Sequence, residues 1–130
     1  MIVLDASAAI EWLLETSAGL RIERRVYSSG TSLHAPQLLD LEVAQALRRL
    51  VRAGMVLERR ADQAIQFLQS LRIKRYSHVG LLPRIWQYRH NLSAYDAAYV
   101  VLAETLGATL LTRDARLAAA RGNGATIELF

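Results

Sequence analysis

Short apolar runs alternate along the chain with longer segments in which apolar residues recur every three or four positions. The runs are typical of buried parallel strands, and the longer repeat is that of amphipathic helices. Predicted strands cover Ile2–Leu4, Thr31–Ala35, Ile73–Tyr76, Ala108–Leu111 and Thr126–Leu129. Predicted helices cover Ala6–Leu14, 17–29, Gln37–Arg52, Leu57–Leu71, 79–89, Ser93–Leu106 and 115–121. This alternation indicates an α/β fold with a mainly parallel sheet covered on both faces.

The composition is that of one domain over residues 1–130, with 52% apolar residues available for a core. No apolar run approaches the roughly 18 residues that a membrane span needs, and Ile2–Leu4 is too short for a signal-peptide core. Because the chain has no cysteine, disulfides and thiolate metal sites are excluded. We therefore expect a cytoplasmic protein that does not enter a membrane.

The net charge is +4, and every basic residue except Lys74 is Arg. The guanidinium group presents a planar fork of donors that suits phosphate, although a GC-rich genome would explain the same bias. A basic body around an acidic pocket would attract a polyanion.

Four acidic residues stand where an α/β fold can bring carboxylates together: Asp5, Glu42, Asp96 and Asp114. Asp5 and Asp114 follow predicted strands, at the sheet edge where ligands bind in such folds. Asp96 opens a nearly all-apolar helix, and Glu42 interrupts an apolar helical run. Since four close carboxylates would repel one another without a cation, the set predicts a Mg²⁺ or Mn²⁺ site for phosphodiester chemistry.

Three of these acids also have a structural explanation as helix caps. Asp5 and Asp114 each precede a predicted helix, and Ser93 with Asp96 has the Ser-x-x-Asp spacing of a capping box. Glu42 has no capping role, and its alternative is a boundary position whose carboxylate reaches water. Capping and metal binding are compatible, because a cap fixes a carboxylate at a helix entry.

Other site chemistries are disfavoured. No glycine-rich phosphate-binding motif follows the first strand. The three histidines, His34, His78 and His90, lack metal-ligand spacing and are predicted to be surface or boundary residues. Trp12 and Trp86 lie in predicted helices, which favours the core or an interface over base stacking.

Four blocks of sequence occur in a fixed order: IVLDASA, LDLEVAQAL, LSAYDAAYVVLA and ATLLTRDARLA. Together they resemble the PIN-domain family, and more narrowly the VapC toxins of bacterial toxin–antitoxin pairs, over essentially the full length. The resemblance implies a PIN-like α/β/α sandwich and a Mg²⁺- or Mn²⁺-dependent endoribonuclease. Carried over by motif, the catalytic and metal-binding quartet would be Asp5, Glu42, Asp96 and Asp114, supported by Ser7 and Thr112.

The resemblance also implies partners: an RNA substrate, a cognate antitoxin that lays a peptide across the site, and a second copy of the chain in a homodimer. The antitoxin groove would use the first two helices, with Ile10, Trp12 and Leu13 as apolar surface. Some PIN domains carry a further acid after the last Asp, where this chain has Ala115-Arg116-Leu117. That departure argues against a fully occupied second metal position.

Two other functional classes remain open from the sequence. One is a catalytically silent PIN-like binding module, against which the intact acidic quartet argues. The other is a DNA-directed nuclease of similar architecture. The RNA that would be cleaved, the antitoxin, the number of metal ions and the arginines that contact phosphate are not set by the sequence.

Overall fold

The computed structural model describes residues 1–120 and 124–130, apart from the side chain of Ser29. Five strands and seven helices lie in these residues. The strands are β1 (Ile2–Leu4), β2 (Leu33–Pro36), β3 (Ile73–Tyr76), β4 (Thr109–Thr112) and β5 (Thr126–Leu129). The helices are α1 (Ala6–Leu13), α2 (Ser17–Ser29), α3 (Leu38–Arg52), α4 (Glu58–Ser70), α5 (Leu82–Gln87), α6 (Ala94–Leu106) and α7 (Ala115–Ala118), with a 3₁₀ turn at Val79–Leu81.

The strands form one parallel sheet in the order β3-β2-β1-β4-β5, which confirms the predicted α/β class. Central strand β1 pairs on one side with β2 and on the other with β4, so that Val3 stands between His34 and Leu110. Strand order therefore reverses around β1, and the gap beyond its carboxyl end is where ligands bind in such sheets.

The core is built on both faces of the sheet. All residues of β1 and β2 are buried, which requires helices on each side. Helix α6 is buried along Ala97–Ala103, as its nearly unbroken apolar sequence predicted. It ends at Gly107, whose φ of 60° lies in the left-handed region that glycine adopts without a steric cost. No helix in the described ranges is long and apolar enough to cross a membrane.

Most predicted elements are confirmed, and the differences have local causes. Strand β2 includes Pro36, which was expected to end it. The Gln37 N–H donates to Tyr76 on the β3 side, so the nitrogen of Pro36 faces the β1 side, where the ladder has already ended. Pro36 therefore removes no ladder hydrogen bond. Helix α7 ends at Ala118, and residue 121 of the predicted helix lies outside the described residues.

Two side-chain placements differ from expectation. His34 was predicted at the surface or its boundary, yet it is only 5% exposed, and its ring nitrogens contact the hydroxyls of Ser32 and Tyr76. Burial is the main cause that lowers the pKa of His34. Trp12 is buried, as predicted, whereas Trp86 is largely exposed and lies outside the core.

Helices α1 and α2 cross in close contact at Gly19. A Cβ atom there would overlap the carbonyl oxygen of Glu11 and lie 2.8 Å from Cα of Trp12, both on α1. Neither atom is the movable end of a side chain. We expect Gly19→Ala to lower the free energy of unfolding by about 3 kcal/mol or more, since overpacking against backbone forces the helices apart.

The control is Gly80→Ala, because a Cβ at Gly80 meets nothing within 4 Å and its φ is not positive. We expect a change below about 1 kcal/mol there. Urea denaturation of both variants measures the difference, and equal stabilities would show that the α1–α2 contact is not tight.

Candidate active site

Asp5 lies at the carboxyl end of β1 and caps α1. Its carboxylate is 4% exposed and accepts three hydrogen bonds: at Oδ1 from the Ser7 hydroxyl (2.7 Å) and the Ala8 N–H (2.8 Å), and at Oδ2 from the Thr112 hydroxyl. Burial raises the pKa of Asp5, and these three hydrogen bonds oppose the rise. Asp5 therefore caps α1 and is at the same time a carboxylate largely removed from water.

The hydroxyls of Ser7 and Thr112 tie the turn after β4 to the start of α1. Their oxygens are 3.3 Å apart, and each spends its single proton on Asp5. As acceptors, Ser7 receives the Arg113 N–H at 2.8 Å and Thr112 receives the Asp114 N–H at 2.9 Å. Both hydroxyl protons of this network therefore point toward Asp5, and the two backbone N–H groups hold the hydroxyl oxygens in place.

Glu42 lies on α3 at the boundary between buried Val43 and Leu41, which is 76% exposed. The Tyr99 hydroxyl donates to its Oε1 at 3.1 Å. Burial raises the pKa of Glu42, the Tyr99 hydrogen bond lowers it, and the charges of Asp96 and Asp5 raise it further. Glu42 is therefore a half-buried carboxylate whose pKa depends on the charges of two other acids.

Asp96 lies in the first turn of α6, where the Ser93 hydroxyl accepts its N–H at 3.1 Å. Within residues 1–120 and 124–130, its carboxylate forms no hydrogen bond or ion pair, so the capping box has only its serine half. The charge of Asp96 raises the pKa of Asp5 and of Glu42. These three carboxylates form one interacting group, which we call the acid cluster.

Asp114 is placed differently. It caps α7, and its Oδ1 accepts the N–H groups of Arg116 (2.8 Å) and Leu117 (3.3 Å), while Oδ2 pairs with the Arg116 guanidinium at 3.5 Å. Although burial works in the opposite direction, these contacts lower the pKa of Asp114. Its charge is not among those that shift Asp5 or Glu42. The Thr112 hydroxyl accepts the Asp114 N–H and donates to Asp5, and this hydrogen-bond path connects the two acids. Asp114 is therefore not a fourth member of the acid cluster.

A cleft of about 940 Å³ is lined by two members of the acid cluster, Glu42 and Asp96, and by Ala6 and Ser7 next to Asp5. We call it the acid cleft, and the lining residues that matter below are Ser7, Glu42, Arg49, Tyr95, Asp96 and Arg113. Ile10 also lines it, but Trp12 and Leu13 are each 2% exposed. The expectation that these two supply apolar surface to a partner is wrong, because both are buried in the hydrophobic core.

The donor chemistry fits a hard divalent cation. The acid cluster offers only carboxylate oxygens, which Mg²⁺ and Mn²⁺ prefer, and burial together with mutual repulsion raises the pKa of Asp5 and of Glu42. In the part of the chain that the structure describes, no group of three or more His, Cys, Asp or Glu side chains is already arranged to hold a metal. The acid cluster therefore matches a divalent cation in the type of its donor atoms and in its charge, and not in a preformed coordination geometry.

Comparisons with known proteins identify the family of this chain. The model of the PIN domain matches residues 2–123. Ribonuclease VapC9 of Mycobacterium tuberculosis is 44% identical over 117 residues, which cover 90% of this chain and 88% of VapC9. The chain belongs to the VapC ribonucleases of the PIN-domain family. The predicted family is thereby confirmed.

Two solved structures share the fold of this PIN domain. PAE2754 from Pyrobaculum aerophilum has a TM-score of 0.72 at 24% identity and covers 97% of this chain and 81% of its own. VapC20 of M. tuberculosis, described as a sarcin–ricin loop cleaving toxin, has a TM-score of 0.68 at 18% identity and covers 95% and 96%. At these identities the likeness shows the fold alone.

Sequence reasoning missed two residues that shape the site. Tyr99 follows Asp96 by three positions, so both lie on one face of α6. A hydroxyl in a buried helix needs a partner, and that requirement was the available signal. Arg113 donates its N–H to Ser7 and pairs with Glu11 at 3.6 Å, for which the sequence carries no comparable signal.

Neutralising Glu42 tests the repulsion within the acid cluster. Folding raises the pKa of Glu42 above 4.5, so the folded wild-type protein binds a proton at Glu42 more tightly than the unfolded chain does. The free energy of unfolding is therefore higher at low pH, and it falls as the pH rises through the folded-state pKa of Glu42. Glu42→Gln keeps the acceptor for Tyr99. We expect it to stabilise the metal-free protein at pH 7 by less than about 1 kcal/mol, since water screens a half-buried group, and to have no effect near pH 4.

The measurement is urea unfolding in EDTA at both pH values. Glu58→Gln is the control, because Glu58 is exposed in the first turn of α4, where a negative charge is favourable and its loss gives no gain. A Glu42→Gln protein less stable than wild type at pH 7 would contradict the repulsion.

Proposed function

We propose that this PIN domain is a Mg²⁺- or Mn²⁺-dependent endoribonuclease that hydrolyses RNA phosphodiester bonds as the toxin of a toxin–antitoxin pair. The observation that carries the proposal is the acid cluster, of which Glu42 and Asp96 line the acid cleft. Burial and the charge of Asp96 raise the pKa of Asp5 and of Glu42, although the three acids come from separate blocks of sequence. The VapC ribonucleases among its relatives support RNA as the substrate class and an antitoxin as partner.

The residues divide the chemistry between them. A bound divalent cation would offset the negative charge of the site and lower the pKa of a water molecule. Asp5 is suited to hold it because three hydrogen bonds fix its carboxylate, and Asp96 because its carboxylate has no other partner among the described residues. Glu42, whose pKa is raised and whose position Tyr99 fixes, is suited to orient the attacking water and accept its proton.

Asp114 stays in the proposed ligand set with a smaller contribution. Its carboxylate already accepts two backbone hydrogen bonds and pairs with Arg116. Ser7 and Thr112 support the site by holding Asp5. By family resemblance we further propose a homodimer in the cytoplasm, with residues 1–130 acting as one domain.

The acid cluster argues against a catalytically silent module, since burial and neighbouring negative charge raise the pKa of Asp5 and of Glu42, and such carboxylates weaken the fold without serving it. The names of the relatives argue against a DNA-directed nuclease.

Removing one carboxylate of the acid cluster tests the activity. We expect Asp5→Asn and Asp96→Asn to lower RNA cleavage by about 100-fold or more, because a metal site contributes several kcal/mol to transition-state stabilisation. EDTA should abolish cleavage by wild type, and induced expression should arrest growth for wild type only.

The matched control is Asp62→Asn, since Asp62 is exposed on α4 and lines a different groove. Thermal unfolding of each variant checks that folding is intact. Cleavage by Asp5→Asn and Asp96→Asn at the wild-type rate would contradict the proposed function.

Asp114→Asn separates capping from metal binding. Asn caps a helix about as well as Asp, so we expect unfolding free energy to change by less than about 0.5 kcal/mol. Cleavage should fall by about tenfold, less than for Asp5→Asn, because the Asp114 carboxylate has other partners and adds less to metal affinity. Cleavage rates at increasing Mg²⁺ measure this, and full activity would remove Asp114 from the ligand set.

A further inference from the structure

Tyr95 presents an aromatic ring to the acid cleft directly beside Asp96. It lies in the first turn of α6, lines the cleft and is 67% exposed. Among the described residues, its hydroxyl makes no hydrogen bond and its ring stacks on no other ring. Because this ring lines a cleft beside a candidate catalytic acid, its exposed face is available to a ligand that enters the cleft.

Arg49 presents a free guanidinium to the same cleft. It lies on α3 seven residues after Glu42, about 10 Å along the helix, and it is exposed. Within the described ranges Arg49 forms no ion pair, whereas Arg113, the other arginine of the acid cleft, pairs with Glu11. Arg49 is thus available to a ligand, and its distance from Glu42 places it away from the reacting group.

We propose that Tyr95 and Arg49 form an RNA subsite in which Tyr95 stacks on an unpaired base next to the scissile bond and Arg49 holds a flanking phosphate. The proposal rests on the nuclease function above and assigns the recognition of RNA to two side chains outside the acid cluster. Bases in a duplex stack on one another, so a ring at this position selects single-stranded or looped RNA. A guanidinium supplies a planar fork of donors for the phosphate.

The charge distribution favours RNA over a peptide as the ligand of these two residues. A basic peptide segment would be drawn to the acid cluster but repelled by Arg49. An RNA strand would be repelled by the acid cluster unless a cation is present and attracted by Arg49. With a cation at the acids, both parts of the acid cleft attract phosphate.

The chain offers a matched control for Arg49 in its neighbour Arg48. Both are exposed on α3, and neither forms an ion pair with a described residue. Arg48 lines a separate groove beside Glu58 and Asp62. Arg48→Ala and Arg49→Ala therefore change the net charge equally and differ only in which groove loses the arginine.

The test measures binding of a fluorescently labelled, unstructured RNA oligonucleotide by anisotropy. All variants carry Asp96→Asn to prevent cleavage, and the salt concentration is varied. We expect Tyr95→Ala to weaken binding by about 5- to 150-fold, the range for loss of one base–aromatic stack, and Tyr95→Phe to bind within about twofold of the parent. Arg49→Ala should reduce the slope of log affinity against log salt by about 0.7, and Arg48→Ala should leave it unchanged.

Annealing the RNA to its complement provides an independent check, because pairing removes the base from reach of Tyr95. The duplex should bind the parent and Tyr95→Ala equally. Equal binding of single-stranded RNA by the parent and Tyr95→Ala, or equal salt slopes for Arg48→Ala and Arg49→Ala, would overturn the subsite. If the wild-type protein cleaves RNA but Tyr95→Ala and Arg49→Ala bind RNA as well as the parent does, the subsite is refuted and the nuclease function stands. Absence of both cleavage and RNA binding would refute the nuclease function as well.

Discussion

The burial of one carboxylate, Asp5, at the end of the central strand constrains the structure around it. A charge that is 4% exposed is tolerated only with hydrogen-bond donors on its oxygens. Ser7 and Ala8 supply two of them from α1, and Thr112 supplies the third from β4. Satisfying Asp5 therefore fixes the start of a helix, the end of a neighbouring strand and the turn that leads to Asp114 at the same time.

The rest of the site follows from placing two more acids near that fixed charge. Glu42 and Asp96 come from helices that pack on the sheet, so their backbone positions are set by the core and not by their mutual repulsion. The core thus holds together groups that would separate if they were free. The repulsion between these carboxylates makes the binding of a cation favourable, since its positive charge offsets their negative charge. The hydroxyl of Tyr99 limits the cost at Glu42.

The acid cleft combines opposite electrostatic requirements in a small space. Glu42 and Asp96 line it with negative charge, and Arg49 and Arg113 line it with positive charge. An anionic strand is therefore attracted to the arginines and needs a cation at the carboxylates. Helices α3 and α6 each contribute an acid together with a side chain that has no ion-pair or hydrogen-bond partner among residues 1–120 and 124–130, Arg49 on one and Tyr95 on the other. Helices α3 and α6 thereby position the acids proposed for catalysis as well as the two side chains proposed to bind RNA.

Local pattern determined the strands, most helix limits and the parallel sheet, because apolar periodicity and helix caps such as Asp5 act over a few neighbouring residues. The family followed from the resemblance of four sequence blocks. The sequence also singled out the acids of the site. Only tertiary structure decided which of them interact: the charge of Asp96 adds to burial in raising the pKa of Glu42, whereas the Asp114 carboxylate is bound by the backbone of its own helix. Tertiary structure likewise buried His34. Contacts between residues distant in sequence depend on how helices pack over the sheet, and no short-range pattern encodes that packing.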